Sequence, residues 1–243
     1  MHGCMPAGIE LDRLLYNIKG LIWLIQIDDA GSGSLVGGTC IGLYYDKKNI
    51  FKFDFIPLEF YTPENFNKKL YQQHVIDIVL NFFEQFSLSR NELVEVCQGY
   101  IFDAVRDYFR QNGFIWKNVK IQGILQERVE RAFADYAISL GLPRNYVLYT
   151  KYPFHFHKLL RWVYADYENR KKLCKTGWKS WEKYGDLPVE TSSGFMDMPG
   201  YFCLKCGQKI RTKSPVKILK FYSNKQNILY LHENCSSRTC PTS

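Results

Sequence analysis

Leu21-Ile22-Trp23-Leu24-Ile25-Gln26-Ile27-Asp28-Asp29-Ala30-Gly31-Ser32-Gly33-Ser34 is a continuous apolar run that stops on two carboxylates and a glycine-rich turn. A short apolar run bounded by turn residues predicts a buried strand, here Leu21–Asp28. An unpaired buried carboxylate is expensive. Acids at the end of such a strand therefore hold a metal, hold a partner charge or do chemistry.

Working outward, apolar residues at helical spacing over Ile9–Gly20 predict a short lead-in helix. Gly38–Lys47 and Ile50–Leu58 read as two further strands joined by a turn near Lys47-Lys48-Asn49, with Phe51, Phe53 and Phe55 alternating with Lys52 and Asp54. Thr62 and Pro63 supply a helix cap and first helical position, for a helix reaching about Phe86. Leu93–Gln98 reads as a fourth strand, Tyr100–Gln111 as a helix, Val119–Gln122 as a fifth strand and Ile124–Leu140 as a helix ending at Gly141. The predicted class is α/β, a mixed sheet in the order β-β-β-α-β-α-β-α, which is the element order of the ribonuclease H-like fold. Both later strands lead into Gln-Gly, at Gln98-Gly99 and Gln122-Gly123, with Asp103 and Glu127 each four residues after the glycine. Ligands gather beyond strand ends in open sheets.

Beyond this, Tyr146–Tyr149 reads as a possible extra strand, Phe154–Tyr184 as helical, and Asp186–Gly200, with Pro188, Ser192-Ser193-Gly194 and Pro199-Gly200, as a linker. The expected organisation is a sheet domain over 1–150, a basic helical connector over 151–200 and a small metal-binding module over 201–243. Charge follows that division. Residues 151–243 carry 17 Lys and Arg against 7 Asp and Glu, while residues 1–150 carry 15 against 17. A basic C-terminal part suits contact with a polyanion, above all DNA or RNA, although a solvated basic surface has the same composition.

No apolar stretch has the length to cross a bilayer, and Met1–Pro6 has no secretory pattern. A soluble, intracellular protein without a membrane partner is the expectation. The sequence is silent on oligomeric state.

The acids Asp28, Asp29, Asp103, Glu127 and Glu130 all fall at or just beyond the predicted strand ends, and the last two share a helix face. Phosphodiester hydrolysis with two divalent ions about 3.5–4 Å apart needs such a group of carboxylates. Magnesium takes hard oxygen ligands and keeps several waters. Ordinary roles are open to some of them: Asp103 pairing with Arg106, Glu127 with Arg131, or acids complementing helix starts.

Asp28-Asp29-Ala30-Gly31-Ser32-Gly33-Ser34-Leu35-Val36-Gly37 is similar to the opening Asp-Glu-Ala-Gly-Arg-Gly motif of type 2 ribonucleases H. The resemblance implies a member of the ribonuclease H-like superfamily, with Asp28 binding magnesium or manganese, Asp29 assisting, Asp103 giving a second carboxylate and Glu127 or Glu130 the last. The chain departs from the type 2 pattern where Ser32 replaces arginine, and it lacks the downstream Ala-Lys-x-x-Arg-Asp block. A phosphate-binding turn like that of actin-like ATPases would use the same glycines, but those proteins duplicate the fold.

Of eight cysteines, Cys40 and Cys97 read as small core residues. Cys203-x2-Cys206 and His232-x2-Cys235, 25 residues apart, form the paired spacing of a structural zinc site, with Gly207 permitting the knuckle turn. Lys217–Lys220 and Ile228–Leu231 read as strands that bring the pairs together. The spacing resembles the fingers of poly(ADP-ribose) polymerase type, which implies nucleic-acid or protein binding by the tail. Lys209, Arg211, Lys213, Lys217, Lys220 and Lys225 lie between the pairs with Phe221 and Tyr222, a pattern suited to phosphate contact and base stacking.

Overall fold

The computed structural model describes residues 24–235. The predicted lead-in helix, Leu21–Trp23 of the first strand, Cys4 and Cys240 lie outside the described residues. The architecture is mixed α/β, with one five-stranded mixed sheet, flanking helices and a second, three-stranded sheet.

The large sheet contains β1 (Leu24–Ala30), β2 (Thr39–Tyr45), β3 (Ile50–Ile56), β4 (Leu93–Cys97) and β5 (Trp116–Val119), in the spatial order β3-β2-β1-β4-β5. β1 is central. It pairs antiparallel with β2, opposing Asp28 to Gly42, and parallel with β4, opposing Ile27 to Val96. β4 and β5 are also parallel. Ile25 and Ile27 face a core with Val75, Val94, Phe102 and Phe109. Ala30 and Cys40, of opposite pleat, face a second core with Leu125, Val129 and Phe133. Glycine at 42 lets the helix above come close, since a Cβ there would lie 2.1 Å from Val129.

Helices fill the connections: α1 (Pro63–Asn67), α2 (Leu70–Gln85), α3 (Asp103–Gln111) and α4 (Ile124–Ser139). The single helix expected from Thr62 to Phe86 is two. Thr62 caps α1 as predicted, through the Asn65 N–H, but Lys69 is left-handed, φ 56°, and bends the chain into α2. The bend stacks Phe66 on Tyr71 at 5.1 Å. β5 starts and ends three residues before the predicted strand, because Trp116–Val119 is the stretch that pairs with Val94–Cys97.

Three later segments also differ from expectation. Tyr146–Tyr149 lies in a helix, α5 (Arg144–Tyr149), started by Pro143. A short apolar run does not distinguish strand from buried helix. The region 154–184 is broken into α6 (Phe156–Tyr164), α7 (Tyr167–Arg170) and α8 (Lys179–Tyr184), with Cys174 extended between them. Within 186–200, Glu190–Phe195 forms β6, pairing antiparallel with β7 (Pro215–Tyr222). Its polar Thr-Ser-Ser-Gly sequence reads as loop, but an exposed edge strand is held by ladder hydrogen bonds and needs little burial. β7 in turn pairs with β8 (Gln226–His232). Leu35, Ala137, Trp162, Cys203, Val216 and Leu229 share one core, so the second sheet packs against the rest of the molecule.

Candidate functional site

Two groups of metal-ligating side chains occur among the described residues. The first lies at the carboxyl end of β1. Asp28, Asp29 and Cys97 bring a carboxylate oxygen or sulfur within 4.8 Å of one another. Asp28 and Asp29 close the central strand, and Cys97 closes β4 beside it. Asp28 is buried, 5% exposed. Desolvation pushes its carboxyl up to about 6, while the Cys97 thiol, donating a hydrogen bond, and the Asp29 N–H act in the opposite direction. The charges of Asp29 and Glu130 push it further up. Burial and Asp28 together push Cys97 up to about 12, so it stays a neutral donor.

Asp29 accepts from the Ser32 hydroxyl and N–H, and burial raises its carboxyl. Gly99 passes so close that a Cβ there would lie 3.2 Å from Asp29 Oδ1. The turn that follows is tight: Ser34 N–H donates to Gly31 O at 3.0 Å, and Gly31 has φ +88° with no room for a Cβ against Phe133. Tyr100 donates its hydroxyl to Ser32 O at 3.3 Å.

The remaining predicted acids do not join this group. Asp103, at the start of α3, is exposed and paired with Arg106, the ordinary ion pair that its spacing allows. Arg106 also donates to Cys97 O at 2.8 Å and Gly99 O at 3.2 Å. Glu127 and Glu130 are exposed on α4, with Glu130 accepting from Gln126 at 2.9 Å. Glu130 still acts electrostatically on Asp28.

Sequence reasoning missed Lys175, whose ammonium reaches this turn from the basic C-terminal part. It donates to Gly31 O at 2.6 Å and Thr39 Oγ1 at 3.1 Å. Burial pushes it down to about 7, with Asp29 acting in the opposite direction. Gly177 and Trp178 interrupt the helical pattern nearby, but nothing in the local sequence points Lys175 toward the turn.

The second group is Cys203, Cys206, His232 and Cys235, all within 4.8 Å of one another. Cys203 and Cys235 sulfurs are 3.8 Å apart. Cys206 Sγ and His232 Nδ1 are 3.4 Å apart. Zinc–sulfur arms of about 2.3 Å in a tetrahedron give sulfur–sulfur edges of about 3.8 Å. Donor chemistry and spacing both fit zinc. Gly207, φ +79°, donates to Cys203 O at 2.7 Å and forms the knuckle. His232 Nε2 lies 3.3 Å from Lys209 O, which accepts its N–H and leaves Nδ1 for a metal. β7 and β8 are longer than predicted and bring the pairs together.

Arg170 supports the knuckle from outside. It donates to Leu204 O at 2.9 Å, Lys205 O at 2.7 Å and Trp162 O at 2.6 Å, and stacks 3.9 Å over Trp162. Of the aromatics expected to be free for stacking, Phe221 is buried 4.4 Å from Tyr164, and Tyr222 is exposed. His155 is the N-cap residue of α6, and His157 in its first turn has Nδ1 3.3 Å from Ser223 Oγ.

No helix among the described residues is long and apolar enough to cross a membrane. No family model matches the chain, and no curated protein matches it at significant similarity.

Proposed function

We propose that this chain is a metal-dependent nuclease on a ribonuclease H-like sheet, hydrolysing phosphodiester bonds in DNA or RNA, with a zinc-held basic C-terminal part that contributes to binding nucleic acid. The observation that carries the reading is the pair Asp28-Asp29 at the carboxyl end of β1. There the strand's antiparallel partner β2 and parallel partner β4 lie on opposite sides, the kind of position at which open sheets bind ligands. The sheet order β3-β2-β1-β4-β5 supports the same reading.

The donor set fits a hard cation at Asp28. It is a buried carboxylate on which two other acids, Asp29 and Glu130, act. Asp28 would hold magnesium or manganese, with Asp29 beside it and Glu130 adding negative charge from α4. When bound, such an ion lowers the pKa of its water and offsets phosphate charge. The chain itself orients Asp28 through the Cys97 thiol and holds Asp29 through Ser32. The Gly31-Ser32-Gly33 turn keeps bulk away from the strand end, and no atom lies within 4 Å of a Cβ built at Gly33.

The test compares cleavage of labelled RNA, DNA and RNA–DNA hybrid by wild type and Asp28→Asn, with and without magnesium or manganese. Wild type cleaves at least one strand type when metal is present, and Asp28→Asn loses about a hundredfold or more. Equal rates in the two proteins overturn the reading. A second reading, a non-catalytic nucleic-acid- or protein-binding module on the same scaffold, draws on the Asp103–Arg106 pair, which neutralises the second expected ligand. Binding of labelled strands without cleavage under any metal condition favours it.

A further inference from the structure

Lys175 is fully buried, 0% exposed, although it belongs to a strongly basic part of the chain. Its backbone is drawn in by a short run of pairing. Gly37 N–H donates to Leu173 O at 2.9 Å, Lys175 N–H to Leu35 O at 2.9 Å and Gly177 N–H to Tyr61 O at 2.7 Å. Val36 and Cys174 form an antiparallel bridge. The segment Leu173–Gly177 is thereby laid along the turn that follows Asp28 and Asp29. The ammonium then enters between the rings of Tyr61, at 4.5 Å, and Trp178, at 5.2 Å, and reaches Gly31 O and Thr39 Oγ1. Thr39 Oγ1 is itself 2.6 Å from the Tyr61 hydroxyl.

Neutral oxygens and ring faces orient an ammonium but leave its charge uncompensated, and an uncompensated buried charge is costly. Asp29 stands two residues before Gly31, whose carbonyl the ammonium holds at 2.6 Å, and its charge acts on Lys175 across the turn without a direct ion pair. The two tandem acids consequently stand in different company. Asp29 has a resident cation behind the turn, whereas Asp28 has a neutral thiol and two further acids.

We propose that Lys175 is the internal countercharge of Asp29, a positioning residue that pins the Gly31 turn and leaves Asp28 as the carboxylate that takes a divalent cation. The assignment of Asp28 rests on the nuclease reading above; the pairing of Lys175 with Asp29 does not. It divides the roles of two adjacent acids that sequence alone treats as a pair. It also makes the C-terminal part of the chain a builder of the acidic site.

The experiment titrates manganese, read by electron paramagnetic resonance, into full-length wild type, Lys175→Met, Asp29→Asn, the double variant and Asp28→Asn, with thermal melting of each in chelator. Removing the lysine charge tightens manganese binding about tenfold. Asp29→Asn weakens it by a similar factor, and the double variant returns to about the wild-type value. Asp28→Asn abolishes binding. A lysine that served structure alone would lower the melting temperature without tightening manganese, and that result overturns the proposal. A double variant as weak as Asp29→Asn also overturns it, because Asp29 is then a ligand.

If wild type takes up no manganese, the nuclease reading falls and the melting data decide the countercharge separately. Lys175→Met lowers the melting temperature by roughly 5–10 °C, and adding Asp29→Asn restores part of that loss. Purely additive losses overturn the pairing. Where Lys175→Met does not accumulate as folded protein, recovery of folding on adding Asp29→Asn supports the pairing and its failure overturns it.

Discussion

At the end of β1, two carboxylates and a thiol are held by strands whose own ladders set their positions, and a lysine from far along the chain lies behind them. At the C-terminal cluster, three thiols and an imidazole come from a glycine knuckle and a hairpin end. The first arrangement is formed by the hydrophobic sheet and tolerates its acids at a cost. The second sits in the core that the C-terminal sheet shares with Leu35, Ala137 and Trp162, and it gathers three thiols and an imidazole at the spacing of tetrahedral corners. The difference teaches what a metal contributes in each. In the cluster a bound metal would be a structural member, since a metal that binds only the folded site supplies folding energy. In the strand-end group, on the proposed nuclease reading, it would relieve a charge that the scaffold already carries.

The largest expected effect follows from the cluster. Cys203→Ser, or chelation of the wild type, should destabilise the C-terminal sheet by on the order of 5–10 kcal/mol, with elemental analysis falling from one zinc per chain. Calorimetry that shows an unchanged melting curve after zinc removal would break the contrast.

A mid-sized effect separates the two regions. Gly177 is packed so closely that a Cβ would lie 2.6 Å from Phe66 Cβ and 2.8 Å from Thr62 O. Gly177→Ala should cost about 2–3 kcal/mol in urea unfolding, while zinc content stays at the wild-type level. Loss of zinc in this variant would mean that the two regions are not separable.

The smallest effect has an unusual sign. Burial raises Asp28 from 3.8 to about 6, so the fold favours its protonated form. That favourable contribution is complete below the unfolded value and is lost as pH rises through about 6. In chelated protein Asp28→Asn should therefore gain roughly 1–3 kcal/mol at neutral pH, and the gain should vanish near pH 4. A variant less stable than wild type at neutral pH would show that Asp28 is a structural acid, and would remove the distinction between a tolerated charge and a built-in ligand set.

Much of the sheet was legible because β1, β2 and β4 carry their periodicity locally: Ile25 and Ile27 inward on one face, the alternating pattern of β3, and the Leu-Val-Glu-Val-Cys run. The Cys/His cluster was legible because paired metal-ligating residues at fixed spacing have few other uses. The acids were legible only as far as β1 itself. Asp103 has the right distance from Gly99, but Arg106 three residues on captures it, and sequence cannot rank a local ion pair against a remote ligand. Lys175 was illegible for a different reason: its meaning comes from pairing between segments near residues 36 and 174, which no local pattern records. Cys97 looked like a core residue and is partly one, yet its thiol also orients Asp28.

The hydrogen bond from Lys175 to Gly31 spans 144 residues. During synthesis at about 5–20 residues per second, the Asp29 turn leaves the ribosome roughly 7–30 s before the cation that settles it. Throughout that interval the nascent sheet carries Asp29 without that countercharge. A chain stalled or truncated short of residue 175 is left with an electrostatic fault at the centre of its sheet, one that the finished protein repairs with a single side chain.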